Sequence, residues 1–214
     1  MKTKASIALT LTLVLWNGVG FAAKEEASAA DAEKRAKMAE MQKYTAPNEN
    51  HKVLQPLVGK WKSSVRFWMS PDAPPEVSEG TSENHWIMGG RFVEEDFKGT
   101  SMGQPFEGMG ITGYDTIRGE YTSLWLDNMA TGIMVANAQF DAATSTLNQN
   151  GTMSCPLTME KNRPIRSVWK HVDNDHNTYE AFMKDKDAKE YKAMEIAYER
   201  VKEVTPETQS ESKF

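Results

Sequence analysis

From Gly59 onward, apolar and polar residues alternate with a period of two in short runs rich in Val, Ile, Thr, Tyr, Phe and Trp. Clusters of Pro, Gly, Asn and Asp separate the runs, which is the pattern of strands and turns. The first run is the clearest. Trp61, Val65, Phe67 and Met69 share one face with Ser63, while Lys60, Lys62, Ser64 and Arg66 share the other, and Trp68 breaks the alternation. The pattern predicts ten strands: Lys60 to Met69, Val77 to Met88, Arg91 to Lys98, Phe106 to Tyr114, Glu120 to Asn128, Gly132 to Phe140, Thr146 to Met153, Ile165 to Val172, Thr178 to Lys184 and Tyr191 to Val201.

The breaks fall at Pro71 to Pro75, Gly89-Gly90, Asp115 to Gly119, Asp141 to Thr144, Asp173 to Asn177 and Asp185 to Lys189, all of hairpin length. No linker is long enough for the crossover that joins parallel strands, so sequential strands must pair antiparallel. A meander of this length leaves two exposed edges unless it closes on itself. The expected fold is therefore all-β: a closed antiparallel up-and-down β-barrel of about ten strands.

Before the strands, Lys24 to Tyr44 is rich in Ala, Lys, Glu and Met and lacks Gly and Pro, which predicts a helical arm ended by Pro47. His51 to Val58 leads into the first strand as an irregular or short helical segment. At the extreme N-terminus, Lys2 and Lys4 precede an apolar run from Ala5 to Leu15 and then small residues through Ala23, the layout of a secretory signal peptide. Cleavage is expected after Ala22, with Ala29 as the alternative. The expected division is 1–22 signal peptide, 23–50 helical arm, 51–201 barrel and 202–214 disordered tail, the last from its polar, turn-rich composition. No cysteine near either cut offers a lipid anchor, and no later run approaches the ~20 apolar residues of a membrane helix. A secreted or periplasmic protein with no transmembrane segment is expected.

Charge narrows the partners. The chain carries −5 at neutral pH, and cleavage after Ala22 removes two lysines and no acid, giving −7. That acidity argues against nucleic acid. Cys155 is the only cysteine, so no internal disulfide forms and the apolar core must supply the stability. Asn150-Gly151-Thr152 has the form of a glycosylation sequon, and reads otherwise as a turn or bulge.

Several motifs match in letters and fail in context. Gly99-Thr100-Ser101-Met102-Gly103 has the nucleophile-elbow spacing, but Gln104-Pro105-Phe106 lead into another strand where that chemistry needs a helix. Gly108, Gly110 and Gly113 match a dinucleotide fingerprint and lack the phosphate-binding helix. In a strand, Gly108 and Gly110 instead share a face and admit a close neighbour or a ligand. Asp173, Asp175 and Asn177 begin a calcium loop that fails at Thr178 and Lys184. His51, His85, His171 and His176 show no metal spacing, and the thirteen methionines are scattered as core fillers. No cofactor and no metal is expected.

Gly59-Lys60-Trp61 resembles the G-x-W signature at the mouth of lipocalin-like barrels. Over a longer stretch, His51 to about Arg200 resembles the bacterial domain-of-unknown-function family 1579. The likeness is carried by Pro56 to Trp61, Trp86 to Phe92, Gly103 to Gly108, Gly113-Tyr114-Asp115, Trp125 to Met129 and Thr131 to Met134. The resemblance implies a calycin-like barrel and no particular activity.

Arg91, Glu95, Asp127, Glu180 and Glu195 each lie in a predicted strand with aromatic or aliphatic neighbours, and are expected to face inward. Arg91 would share a face with Val93, Glu95 and Phe97 and could grip a carboxylate or phosphate bidentately. The favoured expectation is a barrel that holds a small, mostly apolar or amphipathic molecule between Trp61, Phe67, Trp125 and Met134, with Arg91 orienting its polar end. The alternatives are a purely structural charge network, an enzyme using Asp127 or Glu95 as general base, and a scaffold that docks through the helical arm. A binding protein is favoured over an enzyme.

Overall fold

Every predicted run forms a strand. The computed structural model describes residues 18–156 and 158–202, so the apolar run from Ala5 to Leu15 and the tail beyond Lys202 lie outside the described residues. In chain order the elements are helix α1 (Gly18–Thr45), helix α2 (Glu49–Lys52), a 3-10 turn (Gln55–Leu57), then β1 (Gly59–Phe67), β2 (Glu76–Ile87), β3 (Phe92–Ser101), β4 (Gln104–Asp115), β5 (Glu120–Asp127), β6 (Met134–Asp141), β7 (Thr146–Cys155), β8 (Glu160–His171), β9 (His176–Lys184) and β10 (Glu190–Arg200).

Each strand pairs antiparallel with its sequence neighbours, and β1 closes the ring on β10, with Trp61 opposite Arg200 and Phe67 opposite Met194. The protein has a closed, calycin-like β-barrel and an N-terminal helix. The chain divides between Thr45 and Ala46, so Glu49 and Asn50 belong with the barrel and not with the arm. In α1, the described side chains from Ser28 to Thr45 are exposed, and Lys37 pairs with Glu33 one turn away at 2.7 Å. Among the described residues no helix is long and apolar enough to cross a membrane.

Two prolines sit inside strands for a local reason. Pro164 pairs with Thr152 on β7, but β8 meets β9 only from Arg166 onward, so the missing amide of Pro164 faces an open flank. Pro105 does the same in β4, which meets β5 only from Gly108. That is why β8 begins at Glu160 and not at Ile165.

The segment between the arm and β1 is more ordered than expected, and it closes one end of the barrel. Asn48 caps α2: its side chain accepts from the Asn50 amide at 3.0 Å, and its own amide donates to His51 Nδ1 at 3.1 Å. This turns Leu54 and Leu57 onto Val93, Tyr121, Ala138 and Leu147, the buried cluster of the molecule. A short helical turn leaves carbonyls unpaired, and side chains from the barrel satisfy them. Trp61 Nε1 donates to Leu57 O at 2.8 Å, Tyr121 Oη to Asn50 O at 2.8 Å and Asn177 Nδ2 to Pro56 O at 3.2 Å. Arg200 donates to Val58 O at 2.7 Å and Pro56 O at 3.2 Å, with its guanidinium 4.0 Å over the Trp61 ring.

Candidate functional site

Residues opposite one another across a ladder share a face, so the buried residues of one strand fix the inward face of the next. Starting from Trp61 and Ser63 on β1, the inward set runs through Ser82, Asn84 and Trp86 on β2, and Val93, Glu95 and Phe97 on β3. It continues through Gly108, Gly110 and Thr112 on β4 to Tyr121, Ser123, Trp125 and Asp127 on β5.

The two halves of this interior differ. Toward the plug, the inward side chains are sealed: Trp61 is 1% exposed, and Val93, Tyr121, Ala138 and Leu147 are buried. Toward the opposite end, Phe67, Phe106, Trp125, Met134, Met153, Met183 and Met194 also point inward, yet each keeps part of its surface accessible. An inward side chain that remains accessible in a closed barrel borders solvent at the mouth or space within it. That half is a cup lined by aromatics and methionine.

One wall of the cup is fixed by glycine. Trp125 lies flat over β4, where a Cβ on Gly108 would come within 2.3 Å of its ring. Its Nε1 donates to Asp127 Oδ2 at 2.9 Å, while Asp127 Oδ1 accepts from the Met129 amide at 2.9 Å. Phe106 stacks on the indole at 6.4 Å between centroids, and Phe97 meets both rings edge-on. The close neighbour foreseen for Gly108 and Gly110 is thus this indole, and the carboxylate of Asp127 is the anchor that holds it.

Below the wall lies a polar floor. Glu95 Oε2 is 3.5 Å from the Cβ position of Gly110, next to the Trp125 ring at 3.3 Å. Tyr198 Oη donates to Glu95 Oε1 at 3.4 Å. Burial raises the Glu95 carboxyl to about 7, against the weaker pull of the Ser82 and Tyr198 hydroxyls. Burial likewise raises Tyr198 and Tyr179, with the nearby Glu95 charge adding to both. Asn84 stands directly opposite Glu95 in the β2–β3 ladder, with Ser82 two residues before it and Ser63 next door on β1. The Ser63 and Ser82 hydroxyls and Asn84 Oδ1 are buried without a hydrogen-bond partner, although Ser82 lies near enough to Glu95 to favour its ionised form. Orphaned buried polar atoms are uncommon and call for an occupant.

The sequence-derived site divides accordingly. Phe67, Trp125, Asp127 and Met134 meet at the cup, and Glu95 lies beneath Trp125. Trp61 lies with the plug, its indole N–H satisfied. Three expectations are corrected. Arg91 is in the β2–β3 turn and not in a strand, because the turn runs through Gly89 and Gly90 at positive φ and β3 begins at Phe92; Arg91 Nη1 donates to Met88 O at 3.1 Å. It stands at the plugged end, where its charge, after burial, helps lower the pKa of His51. Glu180 and Glu195 face outward, since Tyr179 and Ala181, and Ile196 and Tyr198, take the inward positions of β9 and β10. Both pair with Lys192 on the outer surface, Glu180 at 2.9 Å.

Sequence reading missed Ser82 and Asn84, which look like surface residues by type, and gave Ser63 no role although it shares the face of Trp61. Counting back by twos from Trp86 would have turned Ser82 and Asn84 inward. Two other features lie apart from the lumen. His85, Glu94 and Asp96 bring ligand atoms within 4.8 Å of one another on the solvent-facing side of β2 and β3, a group that could hold a divalent cation. A cleft of about 460 Å³ lies outside the plug, but its polar groups already pair among themselves, as Lys52 with Glu49 and Trp86 with Gln55.

Fold and site together define a calycin-like barrel with one end plugged and an amphipathic cup at the other. The family described as "Protein of unknown function (DUF1579)" matches residues 46–200, and the chain belongs to that family. Among curated proteins none matches the chain. Among solved structures it is similar to the crystal structure of Rv2717c from M. tuberculosis, with 12% identity and a TM-score of 0.57 over 73% of this chain and 100% of that one. It is also similar to the S-type phycobiliprotein lyase CPES from Guillardia theta, with 9% identity and a TM-score of 0.50 over 72% of this chain and 94% of that one. At these identities the likeness is one of fold.

Proposed function

We propose that the protein is a secreted or periplasmic binding protein that holds a small, mostly apolar molecule in the cup between Phe67, Trp125 and Met134. The observation that carries this reading is the set of inward aromatic and methionine side chains left accessible inside a closed ring of strands. Adaptable methionines suit a pocket that accepts a flexible guest, and calycin-type barrels leave room for one small ligand. The N-terminal pattern of the sequence supports export.

The test is titration with the neutral dye N-phenyl-1-naphthylamine, followed by its fluorescence and by quenching of tryptophan. Saturable one-site binding is expected, weakened at least about tenfold by Met183→Trp with Met194→Trp, which fill the cup. Binding that ignores these substitutions in a variant of unchanged circular dichroism would remove the cup from consideration. A second reading, catalysis, rests on Glu95: a carboxyl titrating near neutrality inside a cavity has the pKa of a general base. Its mark would be turnover in a substrate screen that Glu95→Gln abolishes.

A further inference from the structure

We propose that the ligand's polar end is an amine, seated on the floor of the cup against Glu95, Asn84, Ser82 and Ser63. The inference rests on the cup reading above and adds the head-group chemistry. Its first support is the character of the unsatisfied atoms. Ser63, Ser82 and Asn84 are 5%, 4% and 6% exposed, and the orphaned atom of Asn84 is a carbonyl oxygen, an acceptor. With the two oxygens of Glu95 and two hydroxyls able to accept, the floor offers acceptors in excess, which a group with several N–H donors satisfies. An ammonium carries three donors and a charge opposite to that of a carboxylate, so its bonds there would be charge-assisted.

The second support is that, among the described residues, an acidic head group finds no free cation. Two arginines point into the barrel, and both are occupied. Arg163 donates to Lys184 O at 2.9 Å and Cys155 Sγ at 3.3 Å, tying β8 to β9 at the rim, and Arg200 is bound to the plug carbonyls. The titratable groups facing Glu95 are Tyr198 from β10 and Tyr179 from β9, both neutral at physiological pH. The floor positions of β1, β2 and β4 are Ser63, Ser82, Asn84 and Gly110, so no cation among the described residues pairs with it. The net charge of −5 further favours a cationic guest.

An amine remains charged across the range in which the Glu95 carboxyl ionises, so its binding strengthens as pH rises through neutrality. The test uses decylamine, decanol and decanoate at submicellar concentration, each displacing N-phenyl-1-naphthylamine from the full chain at pH 5.5 and pH 8.5. Decylamine is expected to bind at least about tenfold tighter than decanol at pH 8.5, with decanoate weakest and the amine's advantage shrinking several-fold at pH 5.5. Glu95→Gln should erase the amine's advantage over decanol, and Asn84→Ala should reduce it in part. Decanol or decanoate matching the amine at pH 8.5 in the natural protein overturns the head-group assignment and leaves the cup intact, as does an advantage that survives Glu95→Gln. Failure of the dye itself to bind removes the cup and the amine together.

Discussion

The plugged and open halves of the barrel are built from the same ten strands, and they differ in what fills the space between them. At the plugged end Leu54 and Leu57 enter the ring, and Trp61, Tyr121, Asn177 and Arg200 bond to backbone carbonyls of the plug. Trp61 and Asn177, each bonded in this way, are among the largest fully buried side chains. At the open end Phe97, Phe106 and Trp125 pack on one another, the inward methionines stay partly accessible, and at mid-depth three polar atoms have no hydrogen-bond partner. A barrel of this girth does not fill itself from its walls alone. One end solves this with its own chain, and the other leaves inward side chains partly accessible.

Substitutions should separate the halves. The largest effect is expected at the plug: Leu54→Ala removes a side chain with 0% exposure and should cost roughly 2–5 kcal/mol in urea denaturation. Met194→Ala in the cup should cost under about 1.5 kcal/mol, because that side chain is only partly buried. Equal losses would mean that the cup is packed as a core. Next in size is the pH response of the floor. The Glu95 carboxyl rises from an ordinary value of 4.5 to about 7, so the folded protein holds this proton more tightly than the unfolded chain. Its contribution is fully present below about pH 4.5 and is lost as pH rises through 7, about 3 kcal/mol in all. Stability measured from pH 4 to 8 should therefore decline more steeply in the natural protein than in Glu95→Gln; parallel curves would mean that the carboxyl is not held in a dry setting. The smallest effect is on the outer wall, where Lys192→Ala breaks the pairs with Glu180 and Glu195. Those groups are about a third exposed, so the loss should stay under about 1 kcal/mol with dye affinity unchanged. A loss of dye affinity would return Glu180 and Glu195 to the lumen.

Much of the wall was legible beforehand because its signals are local. Alternation and turn chemistry placed all ten strands, and Glu120 and Thr146 begin strands as expected. The shared face of Trp61, Ser63, Val65 and Phe67 followed from the period of two. Two of the errors share one cause: where both faces of a strand carry polar residues, parity must come from a neighbour across the ladder. Glu180 and Glu195 have apolar neighbours on either side, but Tyr179 and Ile196 oppose each other and take the inside. A bulge between Lys192 and Met194 adds a further shift that composition does not show. Arg91 was misplaced by one residue at a turn, which was enough to move it from the lumen to the end of the barrel.

By itself the sequence determined what local physics can decide: the strands, their antiparallel order, closure of the ring and two glycines on one face that admit a close neighbour. Tertiary structure alone decided which end is sealed, since a plug works by burying Leu54 and Leu57 among residues far away in the chain. It alone decided which polar groups are stranded, because a serine or asparagine becomes costly only when distant strands have taken the water away. The site consists of those groups, and they become a site through burial, not through their identity.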